Sequence, residues 1–134
     1  MAALGVALIA ALVWTRVSDR RVVDELAREP RGERAHRVML LTLPSGRTIP
    51  VNYLREGDRV YAGADGRWWR ELRGEGGAVE AVILGETLSG HALAVEDDPA
   101  RTRDVFSRLR PTVPEWLPDA LDGVLVEIRI APNP

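Results

Sequence analysis

The apolar positions of this chain change their spacing twice. Residues 2–14, AALGVALIAALVW, are apolar without interruption, and Arg16, Arg20 and Arg21 come after them. Across residues 18–37, SDRRVVDELAREPRGERAHR, the spacing becomes helical. Ser18 suits an N-cap, Glu25 and Arg28 lie one turn apart, and Val22, Val23 and Leu26 form a narrow apolar stripe. Pro30 and Gly32 stop that helix. From residue 38 the period is that of strands. RVMLLTL (37–43) is apolar on both faces, as a central strand would be, and PSGR turns the chain. RTIPVNYL (47–54) alternates, with Ile49, Val51 and Tyr53 on one face. Pro50 inside it predicts an edge or a bulge, because proline cannot donate to a ladder. REGD (55–58) is a hairpin turn into RVYAGA (59–64). AVEAVILG (78–85) and ETLSGHALAV (86–95) make a further pair around Gly85. Asp98 caps a helix that starts at Pro99 and turns Val105, Phe106 and Leu109 inward. Pro111, Pro114 and Pro118 break any continuation of that helix. GVLVEIRI (123–130) is the last strand, with Val124, Val126, Ile128 and Ile130 inward. The pattern predicts a mainly β chain of α+β type. Its strands form a small antiparallel barrel of about six, which closes to hide its edges. One short helix is inserted after the third strand and one before the last.

The segment between the third and fourth strands is GRWWRELRGEGG (66–77). Strand alternation would send its two tryptophans to opposite faces. As a short helix, Trp68, Trp69 and Leu72 share one side, while Arg67, Arg70 and Glu71 point outward. Arg73 ends the helix and Gly74 stops it. The plain reading is a plug over the barrel mouth, with one tryptophan in the core and one half exposed. The functional reading adds a flat aromatic wall beside arginines, suited to a planar anionic ligand.

Composition narrows the chemistry. The chain has 134 residues and a net charge of -2, so no basic field recruits nucleic acid. All of its 18 cationic side chains are arginine, which removes Schiff-base lysine chemistry. There is no cysteine, so disulfides, thiolate nucleophiles and cysteine metal sites are excluded. His36 and His91 lie far apart, and no metal site is expected. Neither a G-x-S-x-G elbow nor a P-loop is present. The apolar run at 2–14 is short of the roughly 20 residues a spanning helix needs. Its arginines lie after it rather than before it, which argues against a cleaved signal peptide. Three readings stand: a short membrane anchor, a helix on a membrane surface, or a buried core helix. As an anchor it would leave the barrel on the cytoplasmic side. The domains are then residues 1–17, an apolar N-terminal helix; 18–35, a helix and linker; and 36–134, the barrel.

SGRTIPV (45–51), the strand pair after it and RWWRELRGEGG (67–77) resemble, in order and spacing, the deazaflavin-dependent nitroreductase family. In that family a Ser-Gly-Arg/Lys turn precedes a strand with a proline step, and a Trp-Trp/Tyr-x-Asn-Leu segment opens the helix between strands. The resemblance runs from about His36 onward. It implies a Greek-key split β-barrel, usually a homodimer. It also implies hydride transfer from a reduced deazaflavin (coenzyme F-420), or a site for FMN, to a small-molecule acceptor such as a quinone or nitro compound. Carried over by position, Ser45, Gly46 and Arg47 would hold the cofactor phosphate. Thr48, Pro50 and Val51 would lie along the ring, and Ala64, Asp65 and Gly66 would form the loop beside it. Trp68, Trp69 and Leu72 would wall the pocket. The chain departs from the pattern at Leu43 and Pro44, where a glycine and a basic residue are usual. It is about two residues shorter between Arg47 and Pro50. Glu71 stands where asparagine is usual.

No covalent nucleophile is required for such chemistry, because the cofactor supplies it. Tyr53 and Tyr61 are available as proton sources but read first as packing residues, and His91 reads as structural. Two other readings remain beside the reductase. One is a barrel that binds a flavin, haem or lipid-like ligand without turnover, or no ligand at all. The other is a membrane-tethered interaction module that uses its tryptophan face.

Overall fold

A computed structural model of the chain describes residues 20–64, 66–109 and 123–132. Residues 2–14, Ser18, Asp65 and the three prolines at 111, 114 and 118 lie outside the described residues. Helix α1 covers residues 20–28 and ends before Pro30. Six strands form the body: β1 (Val38–Thr42), β2 (Thr48–Glu56), β3 (Arg59–Ala64), β4 (Gly77–Ile83), β5 (Glu86–Val95) and β6 (Val124–Ile130). Every pairing is antiparallel, and the order β1-β2-β3-β6-β5-β4 closes on itself. Strands β1 to β3 form a meander, and β4 returns to lie beside β1, which is the Greek-key arrangement. The helix after the third strand is a 3-10 turn, Trp68–Leu72, and the helix before the last is α2 (Pro99–Leu109).

Local chemistry accounts for the connections. Gly57 and Asp58 alone separate β2 from β3, with Gly57 at φ 68°, so the strand runs on through Glu56 where the sequence predicts a turn. Leu84 and Gly85, both at positive φ, make the two-residue turn of the β4–β5 hairpin. The Asp98 carboxylate accepts the Arg101 N–H at 3.1 Å, which caps α2 as its sequence predicts.

Pro50 is accommodated because β2 changes partner along its length. Residues 48–52 pair with β1, and residues 53–56 pair with β3. Among the described residues the first half of β2 therefore has one free edge, and Pro50 loses no ladder bond there. At this seam the barrel is split.

Three apolar layers hold the fold. Inside the barrel, Met39, Leu41, Val60, Val126 and Ile128 are fully buried, and Leu72 closes one end. Outside it, Tyr61, Val95 and Leu125 are covered by Val105 and Phe106 of α2. A third group joins Leu26 of α1 to Ala35 and Val38. The outward face of β6, on which the sequence reading is silent, is buried at Leu125 and Glu127. Among the described residues no helix is long and apolar enough to cross a membrane.

Candidate functional site

The turn between β1 and β2 is tightly determined. The Gly46 N–H donates to the Leu43 carbonyl at 2.8 Å, and the Leu43 N–H donates to the Arg47 carbonyl at 2.8 Å. Gly46 sits at φ 92°, in the left-handed region that a side chain would strain. The Arg47 N–H reaches back to the Ser45 hydroxyl at 3.4 Å. Ser45 in turn makes the contact that decides the character of this turn. Its N–H donates to Glu71 Oε1 at 3.0 Å, and its hydroxyl donates to Glu71 Oε2 at 3.0 Å. All three backbone N–H groups of Ser45, Gly46 and Arg47 are therefore engaged within the chain. The Arg47 side chain is exposed, with no partner among the described residues.

Two further contacts fix the tryptophan segment against this turn. Gly77 leaves room for Pro44: a Cβ on Gly77 would lie 2.7 Å from the Pro44 ring and 4.0 Å from Leu72. Pro44 is one of the departures from the family pattern, and it is a packing residue here. Arg73 places its guanidinium 4.7 Å from the centre of the Trp69 ring, and Glu96 holds that arginine at 3.1 Å. Arg70 lies 6.0 Å from the same ring. Trp69 is thus already partnered by cations.

The predicted site residues divide into two groups. Ser45, Gly46 and Arg47 are brought to the tryptophan segment through Glu71. Val51 packs on the barrel core together with half-buried Trp68 and Trp69 and with Ile49. Thr48 and Pro50 lie along the free edge of β2, with the Thr48 hydroxyl 2.8 Å from that of Thr42. Gly66 is exposed, and a Cβ there would lie 3.8 Å from Trp68. Two positions do not join a surface: Ala64 is 1% exposed and Leu72 is 0% exposed, so both are core. Asp65 lies outside the described residues. The tryptophans also differ from the plug expected, since neither ring is fully buried. A 3-10 turn carries 3.0 residues per turn, so side chains at 68 and 69 splay more widely than on an α-helix.

The tyrosines and His91 are engaged structurally. The Tyr53 hydroxyl donates to the Ala35 carbonyl at 2.8 Å, and burial pushes its pKa up while Arg55 pulls it down less. Tyr61 lies under α2 with Arg101 3.5 Å from its hydroxyl. His91 Nε2 lies 2.6 Å from the Glu75 carbonyl. Among the described residues no group of His, Asp and Glu is placed to hold a metal.

Glu127 passes unnoticed in the sequence. It is 6% exposed and faces Arg59 at 2.9 Å and Arg101 at 2.7 Å. The available signal is Leu125 two positions earlier, an apolar residue on the outward face. Three pockets lined by described residues lie away from the turn: about 280 Å³ beside α2, about 400 Å³ at the β2–β3 turn, and about 220 Å³ under α1.

Ile49, Val51, Trp68 and Trp69 each remain half-buried against the same barrel core and offer apolar faces to a flat ring, but the turn does not fit a phosphate while Glu71 is in place. No protein-family model and no curated protein matches the chain by sequence. Solved structures do match. A Listeria innocua protein assigned as a pyridoxamine 5'-phosphate oxidase is similar at TM-score 0.53 and 17% identity, over 72% of this chain and 86% of its own. An FAD-binding protein from Mesorhizobium loti is similar at TM-score 0.47 and 19% identity, over 81% and 88%. An F-420 reductase is similar at TM-score 0.43 and 16% identity, over 72% and 88%. The first of these likenesses, together with the closed six-strand order, establishes that the chain has the split β-barrel fold.

Proposed function

We propose that the chain binds the ring of a flavin-type cofactor, a deazaflavin or FMN, at the split beside β2, and serves as an oxidoreductase. The observation that supports this is the free edge of residues 48–52, next to a core on which Ile49, Val51, Trp68 and Trp69 remain half-buried. Apolar, partly aromatic surface with open backbone groups beside it is what a flat heteroaromatic ring requires. When bound, such a ring supplies hydride transfer, with a quinone or nitro compound as acceptor. The chain's part is to orient the ring and exclude water. A homodimer and a small-molecule acceptor belong to the same reading, and sedimentation velocity on the full chain checks the dimer.

The Glu71–Ser45 bonds favour a second reading, a split barrel that binds a ring without turnover. One experiment separates the two. Tryptophan fluorescence of the full chain is titrated with oxidised deazaflavin, and with FMN for comparison. Micromolar quenching that disappears in Trp68→Ala, followed by consumption of the reduced cofactor with menadione, supports the reductase. Quenching without turnover supports the binding protein. No quenching by either compound removes both.

A further inference from the structure

We infer that the β1–β2 turn is an oxyanion seat that the protein fills with its own Glu71 carboxylate, so that this end of the site discriminates against phosphorylated ligands. The seat is visible in use. One carboxylate takes a backbone N–H through one oxygen and a serine hydroxyl through the other, each at 3.0 Å. A phosphate oxygen pair presents the same acceptors at similar spacing, and an amide beside a hydroxyl is a usual donor set for phosphate. The other amides of the turn offer no alternative, since Gly46 and Arg47 donate within it. Glu71 bonds Ser45 and no guanidinium among the described residues, so a carboxylate unpaired with any cation stands at the place where a phosphate would arrive.

Position makes Glu71 a strong competitor. It is carried on the 3-10 turn whose Leu72 is buried in the barrel, 26 residues from Ser45 along the chain but held against it by the fold. A group tethered this way acts at an effective concentration of millimolar or more. A free phosphate must exceed that value and also overcome like-charge repulsion. The consequence for cofactor choice rests on the ring-binding reading above, whereas the seat itself is testable with no flavin present.

The test is a titration of the full-length protein with inorganic phosphate, followed by the amide NMR signals of Ser45 and Gly46. Glu71→Ala empties the seat. Glu75→Ala removes a nearby exposed negative charge and leaves the seat filled. Thermal melts confirm that both variants fold. The expected result is a saturable Ser45 shift in Glu71→Ala, at least about tenfold tighter than in the native chain or in Glu75→Ala. Equal affinity in the native chain and in Glu71→Ala overturns the inference. So does an equal gain in both variants, which would reduce the effect to net charge. A Glu71→Ala protein that shows no saturable shift also overturns it. A companion titration compares riboflavin with FMN, whose rings are identical. Glu71→Ala is expected to raise the preference for FMN by a similar factor. If neither flavin binds while phosphate behaves as expected, the ring-binding reading fails and the seat stands.

Discussion

Two carboxylates in this barrel are held in opposite ways. Glu127 is buried on the outer face of β6 and meets two guanidiniums, one from β3 and one from α2, with Arg129 4.0 Å away. Glu71 is exposed, meets no guanidinium among the described residues, and is held by one amide and one hydroxyl. The first is a fixed charge. Water cannot replace its partners, so the arginines are conditions of the fold. The second holds its donors at the surface, where a ligand oxyanion can reach them, so it acts as a competitor. The same residue type serves as architecture in one place and as an adjustable occupant in the other, and exposure decides which.

The contrast breaks most sharply if the buried carboxylate is stripped of both close partners. Arg59→Ala with Arg101→Ala is expected to destabilise the protein by about 3 kcal/mol or more in chemical denaturation. A loss below about 1 kcal/mol would place Glu127 with the surface pairs, whose worth is in that range. Next is Glu127→Gln, which keeps the shape but gives up the charge and one acceptor. A loss of about 1–2 kcal/mol is expected.

Tyr53 lies between the two cases in burial. Its folded pKa is raised above the ordinary value of about 10. A raised value means that the neutral hydroxyl is favoured in the folded state. The contribution is complete below pH about 10 and is lost as the pH rises from there through the folded value. The native chain should therefore lose thermal stability above that pH relative to Tyr53→Phe, which lacks the titrating group. Below it, Tyr53→Phe should be less stable by about 1 kcal/mol for the lost bond to Ala35. Parallel pH profiles for the two proteins would show that the hydroxyl is not the source. The smallest effect is expected at Glu71→Gln, within about 0.5 kcal/mol of the native chain in the same denaturation measurement. A larger loss would make Glu71 a structural staple of the kind Glu127 is.

The strands are legible in the sequence because their spacing is regular. All six fall within two residues of the stretches read from alternation, and α2 begins at the cap and proline that announce it. Pro50 even locates the seam, because proline constrains the ladder on one edge only. The second layer is not legible. Leu125, Tyr61 and Val95 face α2 rather than the barrel interior, and alternation alone says nothing of what covers an outer face. The candidate site is legible as a set of neighbours, since the turn at Ser45 does meet the tryptophan segment. The identity of the group that joins them is not. A charged residue on a short helix reads as solvent-facing, and the reach of Glu71 across to Ser45 is set by the packing of Pro44, Gly77 and Leu72. Ala64 reads as part of the loop beside the ring and Leu72 as a pocket wall because their neighbours in the sequence do, and the structure buries both side chains.

The place of β6 in the ring has a consequence for how the protein is made. This strand enters last among the six, yet it lies between β3 and β5 and hydrogen-bonds to both. During synthesis β3 and β5 must wait with their facing edges unsatisfied until it emerges, while the earlier strands already have their order. Open strand edges are templates for pairing with other chains. A chain cut before residue 124 would therefore leave a barrel one stave short, with two open edges on which it is liable to aggregate.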